Sequence, residues 1–185
     1  MISLLVIAAT LAQPAPITSL SGQYEMIALA VNGDRVAGQY QEELLGGVRR
    51  CEFTFSGRIG ADRAGTISAR WAGLPPKRGR IRLDGKTVVL TIPGFNQIGF
   101  CNAPGEVVEA DLDKRTSWTD LARVTAPRAR FRPAAGAAPS ARYVVKGDIV
   151  GVLRSAPTTL LVEFNGGKGV TKGWVDRAEL KSISE

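Results

Sequence analysis

Chemistry in this chain would have to come from carboxylates, hydroxyls or thiols, because its 185 residues include no histidine. That absence removes the usual general base near neutral pH, the Ser-His and Cys-His nucleophile pairs, and the commonest metal ligand. Two cysteines, Cys51 and Cys101, are too few for a zinc site built on thiolates. Glycoside hydrolysis needs only two carboxylates, so Glu42-Glu43, Glu106, Glu109, Asp111 and Asp113 are the groups to weigh. Neighbouring positions in a strand point to opposite faces, so adjacent acids do not make an acid/base pair. Ser21-Gly22 and Ser56-Gly57 lack a base partner of the nucleophile-elbow kind. The sequence therefore predicts no catalytic residue, no metal and no cofactor, and points to a non-catalytic protein.

Binding is the chemistry that remains. Lys and Arg number 24 against 17 Asp and Glu, a net charge of +7, which favours anionic partners. Lys77, Arg78, Arg80 and Arg82 form one basic cluster just after Pro75-Pro76. Arg128, Arg130 and Arg132 form another, at alternate positions of an extended arm, so that all three can project from one face. Either cluster could hold an acidic protein or an anionic envelope polymer; either could also guard an exposed strand edge against pairing with other chains. Nucleic acid is not expected, because no stacking aromatics interleave with these arginines.

Ile2 to Leu11 is apolar apart from Ser3 and Thr10, and small residues follow it. Residues 1–15 read as an export signal cleaved near Ala12 or Ala15, too short to span a bilayer. The expected location is periplasmic or secreted. In an oxidising compartment Cys51 and Cys101 read as one disulfide, whose long loop would stabilise the fold by roughly 4 kcal/mol.

The elements that must position these groups are strands. From Gly22 to about Val108 the pattern has period two, broken by turn residues. Tyr24–Val31 reads as one strand, then Asn32-Gly33-Asp34 as a tight turn, then Arg35–Glu43 as the next strand. Gly46-Gly47 marks a second turn. Cys51, Phe53 and Phe55 share one face of the strand that follows, Thr66–Trp71 is another, and Arg80–Leu83, Asp84-Gly85 and Lys86–Ile92 form a hairpin. About six antiparallel strands predict a meander over 20–110, closed as a small barrel or folded as a sandwich. Asp111–Asp120 is polar and poor in strand formers, and reads as a linker. The unit 121–185 is again alternating, around a small-residue loop at Ala134–Ser140. The fold class is all-β.

Three runs in this second unit, ARVTAPRARFRP, ARYVVKGDIVGVL and LLVEFNGGKGVTKGWVDRAEL, resemble the bacterial SH3-like domain of exported envelope proteins. The resemblance covers about residues 121–181. It implies a small five-stranded barrel with the Lys146-Gly147-Asp148 corner between strands and Gly173-Trp174 near the closing strand. It also implies a non-catalytic module that recognises a protein or a peptidoglycan-type wall ligand through aromatic side chains lining a groove. Phe131, Tyr143 and Trp174 are the aromatic candidates, with Arg128, Arg130 and Arg132 beside them; Phe164 reads as core. Trp174 has two readings, groove wall or packed core. The family's aromatic residue ahead of the third strand is replaced here by Thr158-Thr159-Leu160. A different function also fits the composition: an inhibitor or immunity protein acting on an envelope hydrolase through the disulfide-tied β-domain of residues 20–110.

Overall fold

The computed structural model describes residues 20–44, 49–98, 101, 105–166 and 169–184. The segment read as an export signal, the Gly46-Gly47 turn and Gly167 lie outside the described residues. Eight antiparallel strands, each paired with the next, close into a barrel: β1 (Gly22–Tyr24), β2 (Ile27–Asn32), β3 (Arg35–Leu44), β4 (Arg49–Ile59), β5 (Ala64–Arg70), β6 (Lys77–Asp84), β7 (Thr87–Thr91) and β8 (Val107–Arg115). Closure pairs β1 with β8, Gly22 opposite Arg115.

Alternation fills the barrel. Ile27, Leu29 and Val31 of β2, Phe53 and Phe55 of β4, and Val88 and Leu90 of β7 point inward and are buried in one core. Tyr40, Phe53, Trp71 and Phe95 form an aromatic cluster at its centre, with Phe53 stacked on Tyr40 at 4.9 Å and Trp71 at 4.5 Å. Gly38 is required there: an added Cβ would come within 2.0 Å of the Phe55 ring across the β3–β4 pair. Cys51 and Cys101 are joined by a disulfide, tying β4 to the segment between β7 and β8.

Two strand boundaries differ from the sequence reading. Tyr24–Val31 is two strands, because the chain reverses at Glu25-Met26, with Glu25 at φ 24°. The segment read as a linker, 111–120, is largely structured: Asp111–Arg115 completes β8 and Trp118 is buried. Its polarity is that of a half-exposed strand, with Val108 and Ala110 buried while Glu109, Asp111 and Asp113 face water. The barrel unit thus extends to Arg115.

The C-terminal unit is also all strand. A five-stranded sheet has the order β14-β13-β12-β9-β15, formed by β9 (Asp120–Val124), β12 (Ile149–Ser155), β13 (Thr159–Gly166), β14 (Gly169–Asp176) and β15 (Leu180–Ser182). A two-stranded ribbon, β10 (Arg128–Arg130) with β11 (Tyr143–Val145), folds over one face of it. Val124, Val150, Val162 and Val175 of the sheet share a core with Ala129, Phe131 and Val144 of the ribbon arm. A backbone bridge between Arg132 and Trp174 joins the arm to the β14 edge.

The other face of the sheet rests on the barrel. Trp118, Leu121 and Ile183 pack on Ala30 and Ala37, which project outward from β2 and β3, and Ala28 borders the same patch. Small residues on the barrel exterior let the two units approach closely. Ser21 Oγ donates to the Trp118 carbonyl at 2.7 Å and accepts from the Val31 amide at 2.8 Å, so the junction is hydrogen-bonded as well as apolar.

Candidate functional site

The ribbon is joined to the sheet by the Lys-Gly-Asp corner, at the end where β11 leads into β12. Asp148 N–H donates to the Val145 carbonyl at 3.0 Å, closing a four-residue turn. The Asp148 carboxylate accepts from Val145 N–H at 2.9 Å, and Gly147 sits at φ 99°, which an L-residue seldom adopts. The corner therefore does what its residue types suggest, a sharp reversal stabilised by a local side-chain hydrogen bond.

Register then decides which candidate residues meet. Arg128 lies opposite Val145 and Arg130 opposite Tyr143, so these four side chains share the outward face of the ribbon. The Arg128 guanidinium lies 4.9 Å from the Tyr143 ring centre, a cation–π contact. Tyr143 is 45% exposed and Val145 42%, unusual for large apolar groups side by side.

Behind this rim lies an open groove of about 770 Å³ between the ribbon and the β13–β14 hairpin. Phe131 and Phe164 line it from within, and Arg142, Tyr143 and Val170 stand at its edge. Val170 is 48% exposed. Two candidate residues, Tyr143 and Phe131, are thus brought to one groove, with Arg128 and Arg130 beside it.

The remaining candidates fall elsewhere. Arg132 does not join the other two arginines: its guanidinium pairs with Asp176 at 2.7 Å and donates to the Ala137 carbonyl, which pins the Ala134–Ser140 loop. Trp174 is half-buried and absent from the groove lining; it stands opposite Leu161, on the sheet face away from the ribbon core. Gly173 makes room not for Trp174 but for Phe131, whose ring would lie 3.0 Å from an added Cβ. Phe131 itself is only 3% exposed, so its main role is in the core, one edge showing in the groove. Phe164, read as core, is half-buried and forms part of the groove. It sits near the turn end of the last hairpin, opposite Thr171, where an inward-facing position is not fully covered. Composition alone could not locate that opening.

The barrel offers a different surface. Arg78, Arg80 and Arg82 alternate outward along β6, with Arg58 and Arg70 on the two strands before it. Arg58 and Arg82 are paired with Asp34 and Asp84. Arg78 and Arg80 have no acidic partner among the described residues. The barrel interior is packed by its own apolar side chains and aromatic rings.

Among the described residues no three His, Cys, Asp or Glu side chains converge on a common point, and no helix is long and apolar enough to cross a membrane. Compared with family models, with curated proteins and with solved structures, the chain shows no match.

Proposed function

We propose that this chain is a non-catalytic binding protein whose C-terminal unit takes an extended polypeptide or wall peptide along the groove between the ribbon and the last hairpin. The observation that carries the reading is the exposed rim of Tyr143 and Val170 around a groove lined by Phe131 and Phe164, with exposed Val145 next to Tyr143 on the ribbon. Ordered aromatic and apolar groups left in water beside a groove are the usual mark of peptide recognition. Arg128, Arg130 and Arg142 at the same edge add a preference for acidic residues in the ligand. The resemblance of residues 121–181 to bacterial SH3-like domains supports the reading. So does the connectivity of strand, long arm, three-stranded meander, single 3-10 turn at Arg177–Glu179 and closing strand. The Cys51–Cys101 disulfide favours an oxidising compartment, periplasmic or extracellular.

Selection of a displayed random-peptide library on the full chain tests this. Peptides combining apolar and acidic residues should be enriched by the native protein and lost with Tyr143→Ala. Equal recovery on the native and Tyr143→Ala proteins would count against the groove.

A second reading rests on the unpaired arginines of β6. A basic wall on a rigid, disulfide-tied barrel suits docking against an acidic cleft, as an inhibitor of an envelope hydrolase would require. Inhibition of a wall hydrolase that is abolished by Arg78→Glu with Arg80→Glu, and untouched by Tyr143→Ala, would select this reading over the first.

A further inference from the structure

The junction of the two units encloses a cleft of about 540 Å³, and two buried polar atoms facing it are left without a partner. Glu163 is 4% exposed; Lys172 Nζ occupies one carboxylate oxygen at 2.8 Å, but Oε1 accepts nothing. Trp118 is 3% exposed, and its indole N–H donates to nothing. Leaving a buried donor or acceptor unpaired costs on the order of 1–3 kcal/mol, so each such atom calls for an explanation.

The register brings these two residues to one face. Gly151 lies directly opposite Glu163 in the β12–β13 pair, so both face the barrel. The Trp118 indole covers Gly151, its Nε1 within 2.3 Å of where a Cβ would stand. Cross-strand neighbours on one face have Cβ atoms about 5 Å apart, so the indole over Gly151 and the Glu163 side chain are neighbours on the barrel-facing side of the sheet. A hydroxyl is the group that can accept from an indole N–H and donate to a carboxylate at once.

The rest of the cleft extends the same chemistry. Gln23, Gln39, Gln41 and Asn165 place amides around it, and each amide offers both a donor and an acceptor. Charge is balanced: Glu163 is paired with Lys172, and Glu25 and Lys114 both line the cleft. A cation or anion would find little net field there. We infer that this cleft is a binding site for a neutral, polyhydroxylated ligand of the saccharide class, with Glu163 and Trp118 holding one of its hydroxyls. It meets the peptide groove only at Val170, which borders both, and it is formed by both units together.

The test uses the full chain, isotope-labelled with ¹⁵N, and two neutral probes: the linear trisaccharide of N-acetylglucosamine and maltotriose. The three tryptophans give three indole N–H resonances, and Trp118→Phe identifies one of them. At least one probe should shift the Trp118 resonance saturably. Glu163→Gln should weaken that binding about tenfold or more, the loss of one charge-assisted hydrogen bond. Should that variant fail to fold, Gln41→Ala with Asn165→Ala, both exposed positions, should weaken it several-fold instead. Tyr143→Ala should leave it unchanged. The inference is overturned if neither probe moves the Trp118 signal, which would leave a single trapped water as the partner of both atoms. It is equally overturned if only the Trp174 signal moves, or if the Glu163→Gln protein, or the amide double variant, binds as tightly as the native one.

Discussion

The barrel and the C-terminal unit are built from the same kind of strand and reach opposite ends. In the barrel every strand has two hydrogen-bonded neighbours, the interior is filled by a cluster of aromatic rings, and a disulfide ties β4 to the segment between β7 and β8. The C-terminal sheet keeps two edges, and only part of one is bridged by the arm. Three of the five exposed large apolar residues among those described, Tyr143, Val145 and Val170, belong to the ribbon or the last hairpin, while Leu74 and Val107 belong to the barrel unit. Closure uses up the surface that recognition needs. In the proposed reading the barrel is the mount and the open unit the part that binds.

The comparison can be broken most severely at the disulfide. Replacing Cys51 and Cys101 by Ala should lower barrel stability by about 4 kcal/mol, the entropy of a loop of this length. Hydrogen exchange should report faster amides in β3–β8 and little change in β12–β14; uniform loss across both units would show that they unfold as one. The mirror experiment is Phe131→Ala, which removes a buried ring from the smaller core at a cost of about 3 kcal/mol. Exchange should then rise first in β12–β14 while the barrel stays protected. A smaller effect is expected from Ala37→Leu, which crowds the junction by about 2 kcal/mol. Small-angle scattering should show a larger radius of gyration, with both cores intact by exchange.

Tyr143→Ala sharpens the contrast from the functional side. It should change stability by no more than about 0.5 kcal/mol, as an exposed substitution does, yet cost tenfold or more in affinity for a selected peptide. The smallest effect concerns acid. Burial raises the Asp120 carboxyl above the usual aspartate range, against the opposing hydrogen bonds from Ser182, the Leu121 amide and Ser184. A carboxyl with a higher pKa folded than unfolded stabilises the fold while protonated. That contribution is full below the ordinary aspartate pKa and is lost as pH rises through the folded value. Asp120→Asn should therefore flatten the fall in urea midpoint as pH rises above the ordinary aspartate range.

The fold was legible where local chemistry is strong. Asn32-Gly33 and Asp84-Gly85 sit at observed two-residue hairpins, and Cys51, Phe53 and Phe55 share the buried face of β4. It was less legible where tertiary context overrides pattern. Glu25-Met26 carries no turn signal, yet reverses the chain between β1 and β2 because Tyr24 and Ile27 must both reach the barrel core. The charged run at the end of β8 reads as a linker until its partner β1, more than eighty residues earlier, is in place. The site was half legible. Arg128, Arg130 and Tyr143 emerge together because alternation on a two-stranded ribbon is simple. Arg132 and Trp174 separate from them because their surroundings are set by Asp176 and by the far face of the sheet. Nothing local distinguishes Phe164, half in a core and half in a groove.

The alanine seat on the barrel wall has a mechanical corollary. With Ala30 and Ala37 this short, Trp118 can lodge between the units like a wedge in a joint, seating the open sheet on the disulfide-braced body. Side-chain length at those two positions thus sets whether the molecule transmits load as one solid or yields at a hinge.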